Sequence, residues 1–360
     1  MPYIHSVKAL VLAGGSGSRL RPLTHTSAKQ LIPVANKPVM FYGLEQLRDA
    51  GITDIGIIVG QTADEVMAAV GDGSELGIRV TYIPQSAPLG LAHCVLIARD
   101  FLGDEDFCMF LGDNFLVGGI TRFVEGFDSS VMDAQILITK VAEPQFFGVA
   151  VLDDDGNIVE LLEKPENPPT DLAVVGVYMF GKAIHDAVRA IEPSPRGELE
   201  ITEAIEWLIH SGRTVRSHMV DGYWKDTGKL EDMLECNRRV LEMIDGRLDG
   251  KVDDASTVSG RVVLEEGASI ERSTVRGPVV IGKGTRIVNS YVGPFTSIYY
   301  GCTIENTEVE HSIILENSSV TGVDRIQDSL IGKNVEVSRV EEPPKAHRLM
   351  LGDHSQVRLS

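Results

Sequence analysis

No run of about 18 apolar residues occurs in the 360-residue sequence, and Met1 to Ser6 has no signal-peptide architecture. A cytoplasmic location without a membrane partner is therefore expected. Basic charge is in short supply as well: 33 Lys and Arg stand against 52 Asp and Glu, for a net charge of -19. With no basic surplus to displace counterions from a polynucleotide, nucleic acid is excluded as a partner, and local cations must handle any anionic substrate. Cysteine is scarce. Cys94, Cys108, Cys236 and Cys302 have neither C-x-x-C spacing nor flanking histidine, so buried reduced thiols are expected rather than zinc or a disulfide framework. Two familiar phosphate-loop patterns are also missing. Gly15-Ser16-Gly17 begins G-x-G-x-x-G, but Leu20 takes the third glycine's place, and no Gly-Lys-Ser/Thr follows at P-loop spacing.

What is present begins at Val7 to Leu12, an apolar, β-branched run that reads as a buried strand. It breaks into Gly14-Gly15-Ser16-Gly17-Ser18-Arg19, with Lys29 ten residues further on. Glycines let backbone N–H groups approach phosphate oxygens, and Arg19 and Lys29 add charge, so the loop reads as a phosphate cradle. An ordinary strand-to-helix turn with surface cations would use the same glycines.

Strand and helix patterns then alternate. A helix is expected from Pro38 to Ala50, a strand over Ile52 to Val59, a helix over Ala63 to Val70, a strand over Arg79 to Ile83, and a helix from Leu91. This spacing implies βαβ units around a mostly parallel sheet, with ligands at the carboxyl ends of the strands. Phe107 to Leu111 is a further strand, and Asp113 lies just past its end, where a carboxylate suits Mg²⁺. Capping of a helix near Ile120 is the competing role for Asp113. From Ala134 to Phe180 the chain is strand-rich, with an Asp155-Gly156 hairpin turn, and could form a second lobe. Gly222 to Gly228 places Asp226 at the end of another strand, before a helix from about Lys229 to Met243.

Beyond Gly250 the pattern changes. Ile270, Val275, Ile281, Ile287, Val292, Ile298, Ile304, Val309, Ile314, Val320, Ile326 and Ile331 recur every five or six residues. Helical periodicity cannot produce this spacing; a parallel β-helix can.

Taken together, G-G-x-G-[ST]-R-L-x-P-L-T at Gly14 to Thr24 and Lys29-Gln30-Leu31-Ile32-Pro33-Val34 resemble the sugar-nucleotide pyrophosphorylases, or nucleotidyltransferases. They look most like the family's glucose-1-phosphate thymidylyltransferases, in the long form that carries a C-terminal left-handed β-helix. The resemblance runs from about Lys8 to Met243 and implies a Rossmann-like α/β sheet with a sugar-binding lobe. Domains are expected at 1–245 (catalytic) and 250–337 (left-handed parallel β-helix), with a polar tail over 338–360.

The resemblance also implies residue roles. Leu12, Gly14, Gly15, Ser16, Gly17 and Ser18 would bind the nucleotide, with Gln85 and Gly90 reading the base. Gly148, Glu163, Lys164 and Val175 would hold the sugar phosphate, and Arg196 to Ile205 would help frame its pocket. Asp113 in L-G-D-N and Asp226 in W-x-D-x-G would hold Mg²⁺. Arg19, Lys29 and Lys164 would be the catalytic cations. The substrates implied are dTTP and α-D-glucose 1-phosphate, with UTP as the alternative nucleotide, and the β-helix would contribute to a homo-oligomer. An exposed Glu-Lys pair such as Glu163-Lys164 is also common without function. Two other classes stay open: a β-helix acyltransferase using His311, and a non-catalytic sugar-nucleotide sensor.

Overall fold

The computed structural model describes residues 7–15, 20–25, 28–339, 350 and 354–358. In chain order the first elements are β1 (Lys8–Leu12), β2 (Pro33–Val34), β3 (Lys37–Pro38), α1 (Val39–Asp49), β4 (Asp54–Val59), α2 (Ala63–Val70) and β5 (Arg79–Pro84). Next come α3 (Leu91–Ile97), α4 (Arg99–Leu102), β6 (Phe107–Leu111), β7 (Asn114–Val117), α5 (Thr121–Glu125) and β8 (Ala134–Lys140). The series continues with β9 (Gly148–Leu152), β10 (Ile158–Glu163), β11 (Leu172–Phe180), α6 (Ile184–Ala190) and α7 (Ile201–His210). It closes on β12 (Val215–Met219), β13 (Tyr223–Asp226) and α8 (Leu230–Leu241).

Contacts divide the chain into two compact units. One draws on segments within 1–16, 27–31 and 39–226, and the other on segments within 17–26, 32–38 and 227–360.

The first unit is built on a nine-stranded mixed sheet with the path β10-β9-β11-β6-β1-β4-β5; β8 joins β11 and β12. Its parallel part is the βαβ region: β1 lies between β6 and β4, with Leu12 opposite Leu111 and Ile58. Alternate residues of β1 enter opposite cores, Leu10 and Leu12 one, Ala9 and Val11 the other. A strand covered on both faces has no polar side, which is why it reads as one continuous apolar run. The strand-rich stretch supplies the antiparallel pairs, since chain segments joined by tight turns such as Asp155-Gly156 must reverse direction. The β9–β10 hairpin forms where that turn was expected.

One local expectation is corrected, and one element was not foreseen. Pro38 belongs to β3 rather than to the first position of a helix, because Ala35 and Asn36, at φ 47° and 61°, turn the chain back as a hairpin. The stretch after Asp113 is not a bare connection. Asn114–Val117 is β7, and it pairs antiparallel with β13, Asn114 opposite Asp226.

In the second unit, three stacks of parallel strands hold six, six and five strands, consistent with a left-handed β-helix. The strands run from Arg247 to Ser338. Val262 pairs with Val279 and Ile270 with Ile287, so a coil takes about 17 residues, one fewer than three hexapeptides. Ten of the twelve periodic residues named from the sequence are fully buried in this unit's core, while Ile326 and Ile331 pack partly buried against it. Asn289 and Asn306 occupy equivalent corners at φ 46° and 51°, a conformation asparagine tolerates better than most residues. Helix α8 and the β2–β3 hairpin belong to this same unit.

Among the described residues no helix is long and apolar enough to cross a membrane. The four cysteines are free and buried, as expected. Burial pushes the Cys94 thiol up to about 12 and that of Cys302 up to about 11, which leaves them as unreactive thiols near neutrality.

Candidate active site

At the carboxyl end of β6, Asp113 Oδ2 accepts a hydrogen bond from Lys29 Nζ at 2.7 Å. Asp226 Oδ1 lies 3.4 Å from the same nitrogen. Each arrives by a different route. Lys29 starts a short 3-10 helix, Lys29–Leu31, preceded by Ala28, whose N–H donates to Glu65 Oε2 on α2 at 2.8 Å. Asp226 is delivered by the β7–β13 pairing.

The Lys29 side chain is 12 % exposed. Burial opposes its charge, but the attraction of Asp113 and then of Asp226 outweighs that and raises its pKa. Burial likewise opposes ionisation of Asp113, and Lys29, helped by Asn114, outweighs it and lowers the carboxyl. Near neutrality the site therefore holds an ammonium between two carboxylates. The donor set offered by Asp113 and Asp226 is oxygen, so the residues fit Mg²⁺, which needs only one or two carboxylates beside substrate phosphates.

Asn114 fixes Asp113 from behind. Its Nδ2 lies 3.1 Å from Asp113 Oδ1, and its Oδ1 accepts from Trp224 Nε1 at 2.6 Å and from Gly176 N–H at 3.2 Å. Gly176 is required here, because a Cβ would lie 2.6 Å from Leu111 Cδ1.

The expected nucleotide residues converge in part. Gly14 stands beside Gln85, whose Oε1 is 3.3 Å from where a Gly14 Cβ would be. Gln85 Nε2 donates to His93 Nδ1 at 3.1 Å and approaches the Gly90 carbonyl at 3.4 Å. Gly90, at φ 102°, runs so close to Leu199 that a Cβ would meet its carbonyl oxygen at 2.3 Å. Leu12 presents no side chain to a ligand, being packed in the core, while its carbonyl accepts from Gly112 N–H. Gly15 lies near Gln30. Ser16, Gly17, Ser18 and Arg19 lie outside the described residues.

Of the expected sugar residues, two lie beside Glu163: Gly148, which pairs with it across β9–β10, and Lys164. Glu163 Oε1 lies 3.0 Å from Arg196 Nη2 and 3.2 Å from Lys164 Nζ, and Oε2 accepts from Thr202 Oγ1 at 3.1 Å. Arg196 also binds the buried Glu200 at 2.7 Å. Val175 is fully buried in the core, so its side chain packs there rather than facing a ligand. The Arg196 to Ile205 segment was expected to help frame the sugar pocket; the contacts of Arg196 and Thr202 with Glu163, and of Asn114 with Asp113, were not foreseen. Their only signal was membership in R-G-E-L-E-I-T and L-G-D-N. His311 occupies a β-helix corner at φ 45° and is hydrogen-bonded to Asp328.

A family profile described as nucleotidyl transferase matches residues 8–243. A Streptomyces griseus protein named glucose-1-phosphate thymidylyltransferase is 61% identical over 354 residues, covering 98% of this chain and 100% of the relative. A Haloferax volcanii low-salt glycan biosynthesis nucleotidyltransferase is 51% identical, covering 98% and 100%. A Bacillus anthracis structure, described as a candidate glucose-1-phosphate thymidylyltransferase in complex with a sucrose, superposes with a TM-score of 0.62 at 33% identity. It covers 67% of this chain and 98% of that one.

Proposed function

Because the chain belongs to the nucleotidyl transferase family, we propose that it makes dTDP-glucose and pyrophosphate from dTTP and α-D-glucose 1-phosphate. The observation that carries the reaction class is the convergence of Lys29, Asp113 and Asp226 at the carboxyl end of β6. The thymidylyl preference is supported by the Streptomyces griseus relative.

In this reaction an oxygen of the sugar phosphate forms a bond to the α-phosphorus, and the bond from that phosphorus to the bridging oxygen of pyrophosphate breaks. The nucleophile is already ionised near neutrality, so the chain needs no side-chain nucleophile and no general base. What remains is alignment and charge stabilisation. Lys164 orients the attacking phosphate, with Glu163 accepting from sugar hydroxyls and Gly148 and Val175 contributing backbone. Lys29 bridges phosphates, and Arg19 is assigned to stabilising the charge that builds on the leaving pyrophosphate. Gln85 and Gly90 read the base, and Leu12, Gly14, Gly15, Ser16, Gly17 and Ser18 are assigned to nucleotide binding. Asp113 and Asp226 would hold Mg²⁺, which when bound neutralises charge on the phosphate oxygens.

Residues 1–245 are assigned to catalysis, 250–337 to the β-helix, and 338–360 to a tail. A cytoplasmic location is supported by the four buried free thiols. The β-helix is assigned a part in a homo-oligomer.

A Haloferax volcanii relative, 39% identical over 238 residues and covering 97% of that protein, is named a UTP–glucose-1-phosphate uridylyltransferase, which favours UTP as the second reading. Pyrophosphate release with glucose 1-phosphate and Mg²⁺, offered dTTP, UTP, CTP, ATP and GTP separately, distinguishes them. Preference for dTTP is expected. Preference for UTP overturns the thymidylyl reading, and the absence of release with every nucleotide, in a folded sample also offered other sugar phosphates, overturns the reaction.

A further inference from the structure

Asn237, on α8, is fully buried. Its Oδ1 accepts the Ala35 N–H at 2.8 Å and the Ser297 hydroxyl at 2.5 Å, and its Nδ2 donates to the Phe295 carbonyl at 3.0 Å. Beside it, Asn36 Nδ2 donates to the Ile298 carbonyl at 2.7 Å. One amide therefore ties three pieces of the second unit together: the β2–β3 hairpin, α8 and a β-helix coil.

The hairpin is not an arbitrary surface loop. It starts at Pro33-Val34, the end of the signature that begins with Lys29. Its turn puts Ala35 at φ 47°, a left-handed conformation that alanine disfavours and that persists only when the surroundings over-determine it. The Asn237 bond to the Ala35 N–H and the Asn36 bond to Ile298 supply that restraint. A buried amide that satisfies both oxygen lone pairs with defined donors sets geometry more than it adds net stability, because removing it strands the donor and acceptor it served.

We propose that Asn237 is a positioning residue for the transfer reaction. It anchors the Pro33–Pro38 hairpin to the β-helix at Phe295–Ile298, and so restrains the signature segment in which Lys29 lies four residues before Pro33. This rests on the nucleotidyltransferase reading above.

The test compares full-length wild type, Asn237→Ala, Asn36→Gly and the double variant, with the folded fraction measured by circular dichroism and kcat normalised to it. Loss of positioning lowers kcat by about tenfold in Asn237→Ala and roughly threefold in Asn36→Gly, while KM for each substrate stays within about twofold. Both changes act through one hairpin, so the double variant falls no further than Asn237→Ala alone. Wild-type kcat in either folded single variant overturns the proposal, as does a double variant whose losses multiply to about thirtyfold. If Asn237→Ala does not fold, Asn36→Gly alone decides, since glycine keeps the turn and removes only the bond to Ile298. A wild-type protein without turnover instead counts against the nucleotidyltransferase reading.

Discussion

Lys29 Nζ donates to Asp113 Oδ2 at 2.7 Å, although one residue opens a 3-10 turn early in the chain and the other ends a loop after β6. Each charge offsets much of the other's burial, and Asp226, 3.4 Å away, completes the set. An ammonium poised between two carboxylates is a cation position already shaped in the protein.

Asp226→Asn preserves shape and removes one charge. The Mg²⁺ concentration for half-maximal velocity should rise by at least about tenfold, with folding retained. An unchanged Mg²⁺ titration curve removes Asp226 from the metal assignment.

Arg19→Ala should lower turnover by on the order of 10²–10³, roughly 2.7–4 kcal/mol, by the measure of one lost transition-state donor. Steady-state kinetics of the purified variant decides this, and wild-type turnover sinks the role.

Glu163→Gln weakens the cluster with Arg196 and Lys164 while keeping its size. KM for the sugar phosphate should rise about tenfold, near 1.4 kcal/mol, with KM for the nucleotide little changed. Equal effects on both substrates would instead mark a general structural defect.

His185 is buried against Phe107, their rings 6.0 Å apart. Burial, reinforced by Arg99 and Arg189, lowers its pKa to about 4 from an ordinary 6.5. The unfolded chain therefore takes up the proton first. The stability due to a neutral His185 is complete above about pH 6.5 and is lost as pH falls toward about 4, by at most about 3 kcal/mol. Melting temperatures of wild type and His185→Gln should converge over that interval; parallel curves refute it.

If the β-helix supports assembly, light scattering of the full chain should return a multiple of one chain's mass. A monomer at working concentration ends that assignment.

Local pattern was enough for much of this protein. The five-to-six-residue recurrence beyond Gly250 identified the β-helix because each coil repeats the same short-range choice of buried aliphatic and corner residue. The apolar strand edges at Leu12 and Leu111 marked where the chain leaves the sheet, for strands buried on both faces can place polar groups only at their ends. The order of the motifs carried the family. Tertiary structure alone decided which charges meet. Nothing within a few residues of Asp113 or Asp226 specifies that a β7–β13 ladder brings them to Lys29, or that Arg196 reaches Glu163. The same holds for Pro38, whose local preference for a helix start gave way to a hairpin that Asn237 holds from far along the chain. Such pairings are set by strand register and by burial of polar groups that must find partners, and both are properties of the packed chain rather than of any window of it.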